Sequence, residues 1–313
     1  MAALPSEGDH RIVEAQSTWL ERVASIRRWS RAGERAPHKP LLLLYALGRL
    51  QRTGTSEMAY VDAEGDLQRL LRDYGPAGRT TTPAYPFHHL QTDGLWTVRS
   101  DQGDPGASPT KLRSSGAVGR LETDFEEALT SDPALVALVA HALLDANFPE
   151  SLHAELCSAA GLDLEAAEVS AVRARVRELR RRDPSFREAV LVAYEYRCAM
   201  CGYDGRLGAE AVGLDAAHLR WWAFDGPDTV DNALCLCTFH HKLLDRGVLG
   251  ITPEHEVAVS AHFVGRGRAA EELVLRLVGQ PLLEPQPGHP TPAPVHIGWH
   301  GAQVFRPPAR RPA

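Results

Sequence analysis

Two metal-binding hooks stand in residues 197–246: Cys198-x-x-Cys201 in RCAMCGYDG, and Cys237-x-x-His240 in LCLCTFHHKLLD. Thiolate and imidazole ligands delivered as two such pairs make a closed tetrahedral zinc site, which serves structure. A segment closed over such an ion folds around a thin apolar core, because metal binding adds to folding free energy. Cys235 is an alternative fourth ligand, since Cys235-x4-His240 also fits; the x-x spacing of a knuckle favours Cys237. Cys157 lies outside the cluster and is expected to be a small apolar residue. Five cysteines, four of them clustered, argue for metal over a disulfide framework and for a reducing, cytoplasmic setting.

The rest of the composition is that of a globular chain: 313 residues, 44% hydrophobic and 24% charged, a length that favours two domains. A net charge of −6 excludes a uniformly basic binder, but the charge is uneven. Residues 11–55 hold nine Lys/Arg against three Asp/Glu, and residues 120–170 hold eleven acids against one Arg. The first stretch offers a cationic surface to an anionic partner. No apolar run approaches the roughly 20 residues that span a bilayer. The opening MAALPSEGDHR is no signal peptide, so no membrane partner is expected.

Apolar periodicity predicts an amphipathic helix over 10–35 (Ile12, Trp19, Val23, Ile26), broken by RAGERAPHKP. A core helix, LLLLYALGRLQ, follows, with Pro40 in its first turn and Gly54 at its end. MAYVD reads as a short strand or turn and AEGDLQRLLRDY as a helix. Residues 75–94 read as a loop, LWTVR as a strand, 100–118 as a second loop, and 122–148 and 151–181 as helices. Nine prolines after residue 280 predict an extended tail, with Ile297, Trp299, Val304 and Phe305 docking back.

His218, Asn232 and His241 stand among the zinc hooks, in LDAAHLRWWAFDGPDTVDNALCLCTFHHKLLDRG. This pattern resembles the HNH endonucleases, specifically the McrA-like branch with a zinc knuckle, over roughly residues 186–250. The resemblance implies a ββα-metal hairpin and helix. His218 is the implied general base, His241 a ligand of the catalytic metal, and Asn232 either a ligand or the residue that orients the loop presenting His218. An imidazole takes a proton from water near neutral pH, and a divalent cation stabilises the charge that develops. One nitrogen ligand among oxygens suits Mn²⁺, Co²⁺ or Ni²⁺ better than Mg²⁺. Many relatives carry Asp immediately before the first His, where this chain has Ala217; Asp215, on the same strand face, is the substitute. Trp221, Trp222 and Phe224 are expected to pack the hairpin, with Arg220, Lys242 and Arg246 flanking the site as candidates for phosphate contact.

RAPHKPLLLLY and TTPAYPFHHLQTDGLW resemble the sulfur-binding domain of restriction enzymes that cut phosphorothioated DNA. The resemblance implies an apolar pocket built from the His38 side chain, the Lys39 backbone, Tyr85 and the Pro86 ring, with His89 at its lip. Arg27, Arg28, Arg31, Arg35, Lys39 and Arg79 are candidates for DNA phosphates, and Gln91 and Arg79 for base edges. The expected fold is α+β. It comprises a mostly helical sulfur-binding domain (10–150), a helical linker and dimer segment (151–183), and a zinc-knuckle HNH domain with docked tail (184–308). The expected protein is a cytoplasmic, homodimeric, type IV modification-dependent endonuclease acting on duplex DNA. The competing readings are an HNH nuclease reading another mark such as 5-methylcytosine, and a non-catalytic DNA-binding regulator.

Overall fold

Four consecutive leucines, 41–44, point to every side of one helix, and a helix apolar all round must lie inside its domain. The computed structural model, which describes residues 7–26, 34, 36–76, 82–164 and 184–312, places it there. Helix α2 (His38–Thr53) buries Leu41, Leu42, Leu43, Leu44 and Leu47. Gly54 ends it at φ +76°, its N–H donating to Leu50 O at 2.8 Å, a left-handed cap that favours glycine. Helices α3 (Tyr60–Tyr74), α7 (Pro133–Asp145) and α8 (His153–Ala160) pack around α2, and α1 (Glu7–Ala24) packs on α7.

Two stretches expected to be loops are more ordered. Residues 84–93 form helix α4 (Ala84–His89) and a 3₁₀ turn. Pro83 and Pro86 lie where a helix's first N–H groups have no partner within it, so proline does not break it. The Trp96 indole donates to Phe87 O at 2.9 Å and anchors the segment. Within 100–118 lies α5 (Pro109–Ser114), and β3 (Val118–Leu121) follows, pairing antiparallel with both β1 (Met58–Ala59) and β2 (Trp96–Arg99). The predicted helix over 122–148 is two helices, α6 (Thr123–Ser131) and α7, bent by 115° at Asp132-Pro133. Asp132 caps the second by accepting from Ala134 N. Among the described residues no single helix is long and apolar enough to cross a membrane.

The first core runs past the expected boundary at residue 150. Leu156, Cys157, Ala160 and Leu162 belong to the first core, and a Cβ on Gly48 of α2 would lie 2.3 Å from Ala160 O. That close approach seats α8 on α2, so residues 151–164 complete the first domain. Residues 165–183 of the expected linker lie outside the described residues.

The second core gathers α9 (Pro184–Ala193), the hairpin of β6 (Leu214–His218) and β7 (Ala233–Cys237), α10 (Thr238–Asp245), and a further hairpin of β8 (Leu249–Ile251) and β9 (Val257–Val259). The pair β4 (Arg206–Leu207) and β5 (Glu210–Ala211) projects before β6. The tail is not extended throughout: after α11 (Arg268–Leu273) it forms α12 (Pro294–Gln303), with proline in the first turn. Ile297 enters the second core, and Val304 and Trp299 pack with Trp221, Phe224 and Leu152.

Candidate functional site

The β6–β7 hairpin is antiparallel, with His218 opposite Ala233 and Asp215 opposite Leu236. Strand β7 runs directly into α10, and His218 of the hairpin and His241 and Asp245 of the helix line one small cleft, while Asp215, on the other strand face, reaches the far nitrogen of His241. His218 stacks on Phe186, with ring centroids 4.5 Å apart, and its Nε2 lies 2.8 Å from Asp228 Oδ1. A carboxylate so placed orients an imidazole and stabilises the imidazolium formed when the ring takes a proton.

His241 lies between two carboxylates, Asp215 Oδ2 3.6 Å from Nδ1 and Asp245 Oδ2 3.2 Å from Nε2. Burial opposes a charged ring, but Asp245 and Asp215 override it and push the His241 pKa to about 10. The His241 ring beside it holds the Asp215 carboxyl below its ordinary value. Between these carboxylates the ring itself carries the positive charge, and a cation bound there would take the place of its proton. Ligands about 2.1 Å from one divalent cation stand roughly 3.0–3.6 Å apart, and the Asp215–His241 separation fits that pair. Ala217 is fully buried in the second core, so its place offers no ligand.

Asn232 is fully buried, and its amide is committed to the loop between His218 and itself. Arg220 N donates to Oδ1 at 2.9 Å, and Nδ2 donates to Arg220 O at 3.0 Å and Pro227 O at 2.9 Å. These bonds are those the loop-orienting alternative calls for. The loop is tight: a Cβ on Gly226 would lie 1.8 Å from Arg220 O. Trp221 and Phe224 are buried as expected, whereas Trp222 is 54% exposed.

The zinc hooks converge. Ligand atoms of Cys198, Cys201, Cys237 and His240 lie within 4.8 Å of one another, and Cys235 stands outside the group. His240 Nδ1 is 3.6 Å from Cys198 Sγ and 3.2 Å from Cys237 Sγ, while Nε2 meets Leu273 O at 2.8 Å. A metal-binding histidine takes this posture, one nitrogen on the ligand set and the other anchored to a carbonyl. Gly202, at φ +73°, closes the knuckle by donating to Cys198 O at 2.8 Å. Crowding of the sulfurs pulls the Cys198 thiol down and pushes the Cys201 thiol up, so without a metal the cluster shares its protons unevenly. Buried Cys157 has its thiol pushed up to about 11, that of an inert core residue.

In the first domain, three rings from the predicted pocket meet. Tyr85 and His38 centroids are 6.4 Å apart, and Tyr85 and His89 4.5 Å. Tyr85 is 40% exposed while Pro86 is buried. The Lys39 ammonium turns inward to Asp93 at 2.5 Å, leaving its backbone at the helix start. Burial, then His88 and Lys39, lower the His89 pKa and favour the neutral ring. Gln91 is tied down locally: Oε1 accepts from Val98 N at 3.2 Å and Nε2 donates to His88 O at 3.0 Å, so it is not held out toward base edges. Arg27, Arg28, Arg31, Arg35 and Arg79 lie outside the described residues.

The basic residues expected to flank the nuclease site bind protein instead. Arg220 Nε donates to Phe224 O. Lys242 pairs with Glu155 at 2.8 Å and donates to Ser151 O; Arg246 pairs with Glu155 at 3.3 Å and lies over the Tyr74 ring. Arg306 donates to Arg72 O and Asp73 O at 2.8 and 2.7 Å. These contacts fasten the second domain to the first. Ser151 and Glu155, expected at a dimer interface, face the chain's own second domain.

Residues 16–165 match the family model of the ScoMcrA-like DNA sulfur-binding domain, and residues 198–252 that of the HNH endonucleases. The chain joins a DNA sulfur-binding domain to an HNH endonuclease domain. It is similar to the sulfur-binding domain of SprMcrA complexed with phosphorothioated DNA: 26% identity, TM-score 0.43, over 50% of this chain and 99% of that one. The corresponding ScoMcrA domain, also complexed with phosphorothioated DNA, gives 25% identity and TM-score 0.40 over 48% and 97%. The modification-dependent TagI restriction endonuclease gives 25% and 0.28 over 38% and 37%. No curated protein matches. Sequence reasoning did not single out Asp228 or Asp245. Asp228 stands in the DGPDTVDN turn after His218, and Asp245 is four residues beyond His241, the spacing that puts two side chains on one helix face.

Proposed function

We propose that the protein is a type IV restriction endonuclease that binds duplex DNA carrying a backbone phosphorothioate and hydrolyses phosphodiester bonds nearby. The observation that carries this reading is that His218, paired with Asp228, and His241, paired with Asp215, line one cleft of an HNH domain fastened to a sulfur-binding domain. Asp215 supplies the carboxylate that Ala217 lacks, which weighs against a regulator with a degenerate fold.

Recognition rests on solvation. Sulfur in place of a phosphate oxygen is larger, more polarisable and more weakly hydrated. Against the Tyr85 ring, the Pro86 ring and a neutral His89, an oxygen anion loses hydrogen bonds it keeps in water, at a cost of about 1–3 kcal/mol. Sulfur loses much less, and the difference is the selectivity. Arg27, Arg28, Arg31, Arg35 and Arg79 hold the flanking phosphates in this reading.

In the second domain, His218 takes the proton of the attacking water while Asp228 holds the ring. Asn232 fixes the loop that follows His218. Asp215 and His241 hold a divalent cation (Mn²⁺, Co²⁺, Ni²⁺ or Mg²⁺), whose chemistry when bound is to stabilise charge on the phosphate and the leaving oxygen. Cys198, Cys201, Cys237 and His240 hold a structural Zn²⁺. Cutting both strands takes two such sites, so the working form is a homodimer.

The test uses matched duplexes with and without one Rp phosphorothioate. The expected result is at least about tenfold tighter binding of the sulfur duplex, or 1.4 kcal/mol, erased by His38→Ala or Tyr85→Ala. Cleavage in a metal series is lost in His218→Ala. Equal affinity for both duplexes overturns the recognition reading, and binding without cleavage under any metal overturns the nuclease reading.

A further inference from the structure

Helix α10 carries His241 and, one turn on, Asp245; the residue that meets Asp245 from the other side comes from the sulfur-binding domain. The Ser151 hydroxyl donates to Asp245 Oδ2, the same oxygen that lies 3.2 Å from His241 Nε2. The Asp245 side chain is 1% exposed. A buried carboxylate needs donors to hold its charge and orientation, and here two are Ser151 and His241.

Ser151 is gripped twice by α10. Its hydroxyl reaches Asp245, and its carbonyl accepts from Lys242 Nζ. The next residue, Leu152, packs with Trp221, Phe224 and Val304 of the nuclease domain. The serine is thus set in register against the helix by polar contacts on one side and apolar contacts on the other. Asp145, Phe148, Pro149, Glu150 and Ser151 also line one small cleft together with His218 and His241.

We propose that Ser151 is a positioning residue of the nuclease centre, supplied by the sulfur-binding domain. Its hydroxyl fixes Asp245, Asp245 holds the Nε2 side of His241, and Nδ1 is thereby aimed at Asp215. The inference rests on the nuclease reading above and deepens it: the cation pair Asp215–His241 is set only when the reading domain is seated. Outer partners of a metal-bound histidine commonly change metal affinity by 10–100-fold. Ser151 acts one bond further out, so about a fivefold effect is expected.

The experiment measures Mn²⁺ binding to the full-length protein by the electron paramagnetic resonance signal of free Mn²⁺, alongside zinc content and affinity for a phosphorothioate duplex. Ser151→Ala should bind Mn²⁺ about fivefold more weakly, with zinc content and duplex affinity unchanged. Ser151→Thr, which keeps the hydroxyl, should restore Mn²⁺ binding. Wild-type Mn²⁺ affinity in Ser151→Ala overturns the inference and leaves the nuclease reading standing. So does a threonine variant as weak as the alanine one. No Mn²⁺ binding by the unmutated protein overturns the inference, and the nuclease reading then falls only if no metal of the series supports cleavage.

Discussion

Replacing Asn232 by alanine distinguishes a loop-holding asparagine from a metal-binding one. The buried amide makes three hydrogen bonds, one accepted from Arg220 N and two donated to Arg220 O and Pro227 O. A hydrogen bond contributes about 1 kcal/mol net, and a buried group left unpaired costs about 1–3. Three lost bonds give about 3 kcal/mol; water entering the vacated space lowers this toward 2. A domain of this size loses about 4 °C in melting temperature per kcal/mol, so the HNH domain should melt roughly 10 °C lower. Asn232→Asp keeps the acceptor for Arg220 N and loses both donors, which should cost about 2 kcal/mol. The assay is thermal unfolding with the catalytic cation removed by a chelator too weak to strip zinc. Loop bonds do not depend on that cation, whereas a ligand's contribution disappears with it. An alanine variant that melts within about 2 °C of the unmutated protein under these conditions would refute the loop-holding argument.

The clamp between the domains should weaken in acid. Burial raises the Glu155 carboxyl, but Lys242, Arg246 and Tyr74 override it and hold it below the ordinary value of 4.5. A carboxyl depressed in the folded state contributes stability that is present above 4.5 and is lost as pH falls through the folded value. The difference in docking between the unmutated protein and Glu155→Gln, followed as the radius of gyration in solution scattering, should therefore be largest near neutral pH and vanish in acid. A difference independent of pH removes Glu155 from the clamp. For zinc, Cys198→Ser should abolish the cooperative melting of the second domain and spare the first, while Cys235→Ala keeps one zinc per chain. Metal analysis that finds zinc lost with Cys235 overturns the ligand set.

The elements most readily seen in the sequence carry their own physics locally. The leucine run, Gly54 and the two cysteine hooks declare a core helix, its stop and a metal knuckle without reference to anything distant. The ring group was legible only through resemblance, because His38 and Tyr85 come from helices separated by β1 and α3. What escaped was order enforced by tertiary contact. Helix α4 contains a proline inside a proline-rich stretch and depends on Trp96 for anchorage; β3 acquires its meaning only between β1 and β2. Asp228 looked like a turn residue because its partner, His218, lies across the loop that Asn232 closes. The basic residues of α10 misled for a related reason. An exposed Lys or Arg beside a nuclease motif resembles a phosphate ligand, and only the packing of the first domain against α10 shows that Lys242 and Arg246 are occupied.

The joint between the two domains is lopsided in what each side contributes. Lys242, Arg246 and Arg306 reach out with side chains, and much of what they grasp is main chain: the carbonyls of Ser151, Asp73 and Arg72. Every amino acid brings the same carbonyl. Asp73 and Arg72 of the reader can therefore drift in residue type, so long as the backbone keeps its path, without loosening the cutter's hold, whereas Ser151 also gives its hydroxyl to Asp245. Lineages that alter what the reader prefers to dock on need not reinvent the hinge pin that carries the blade.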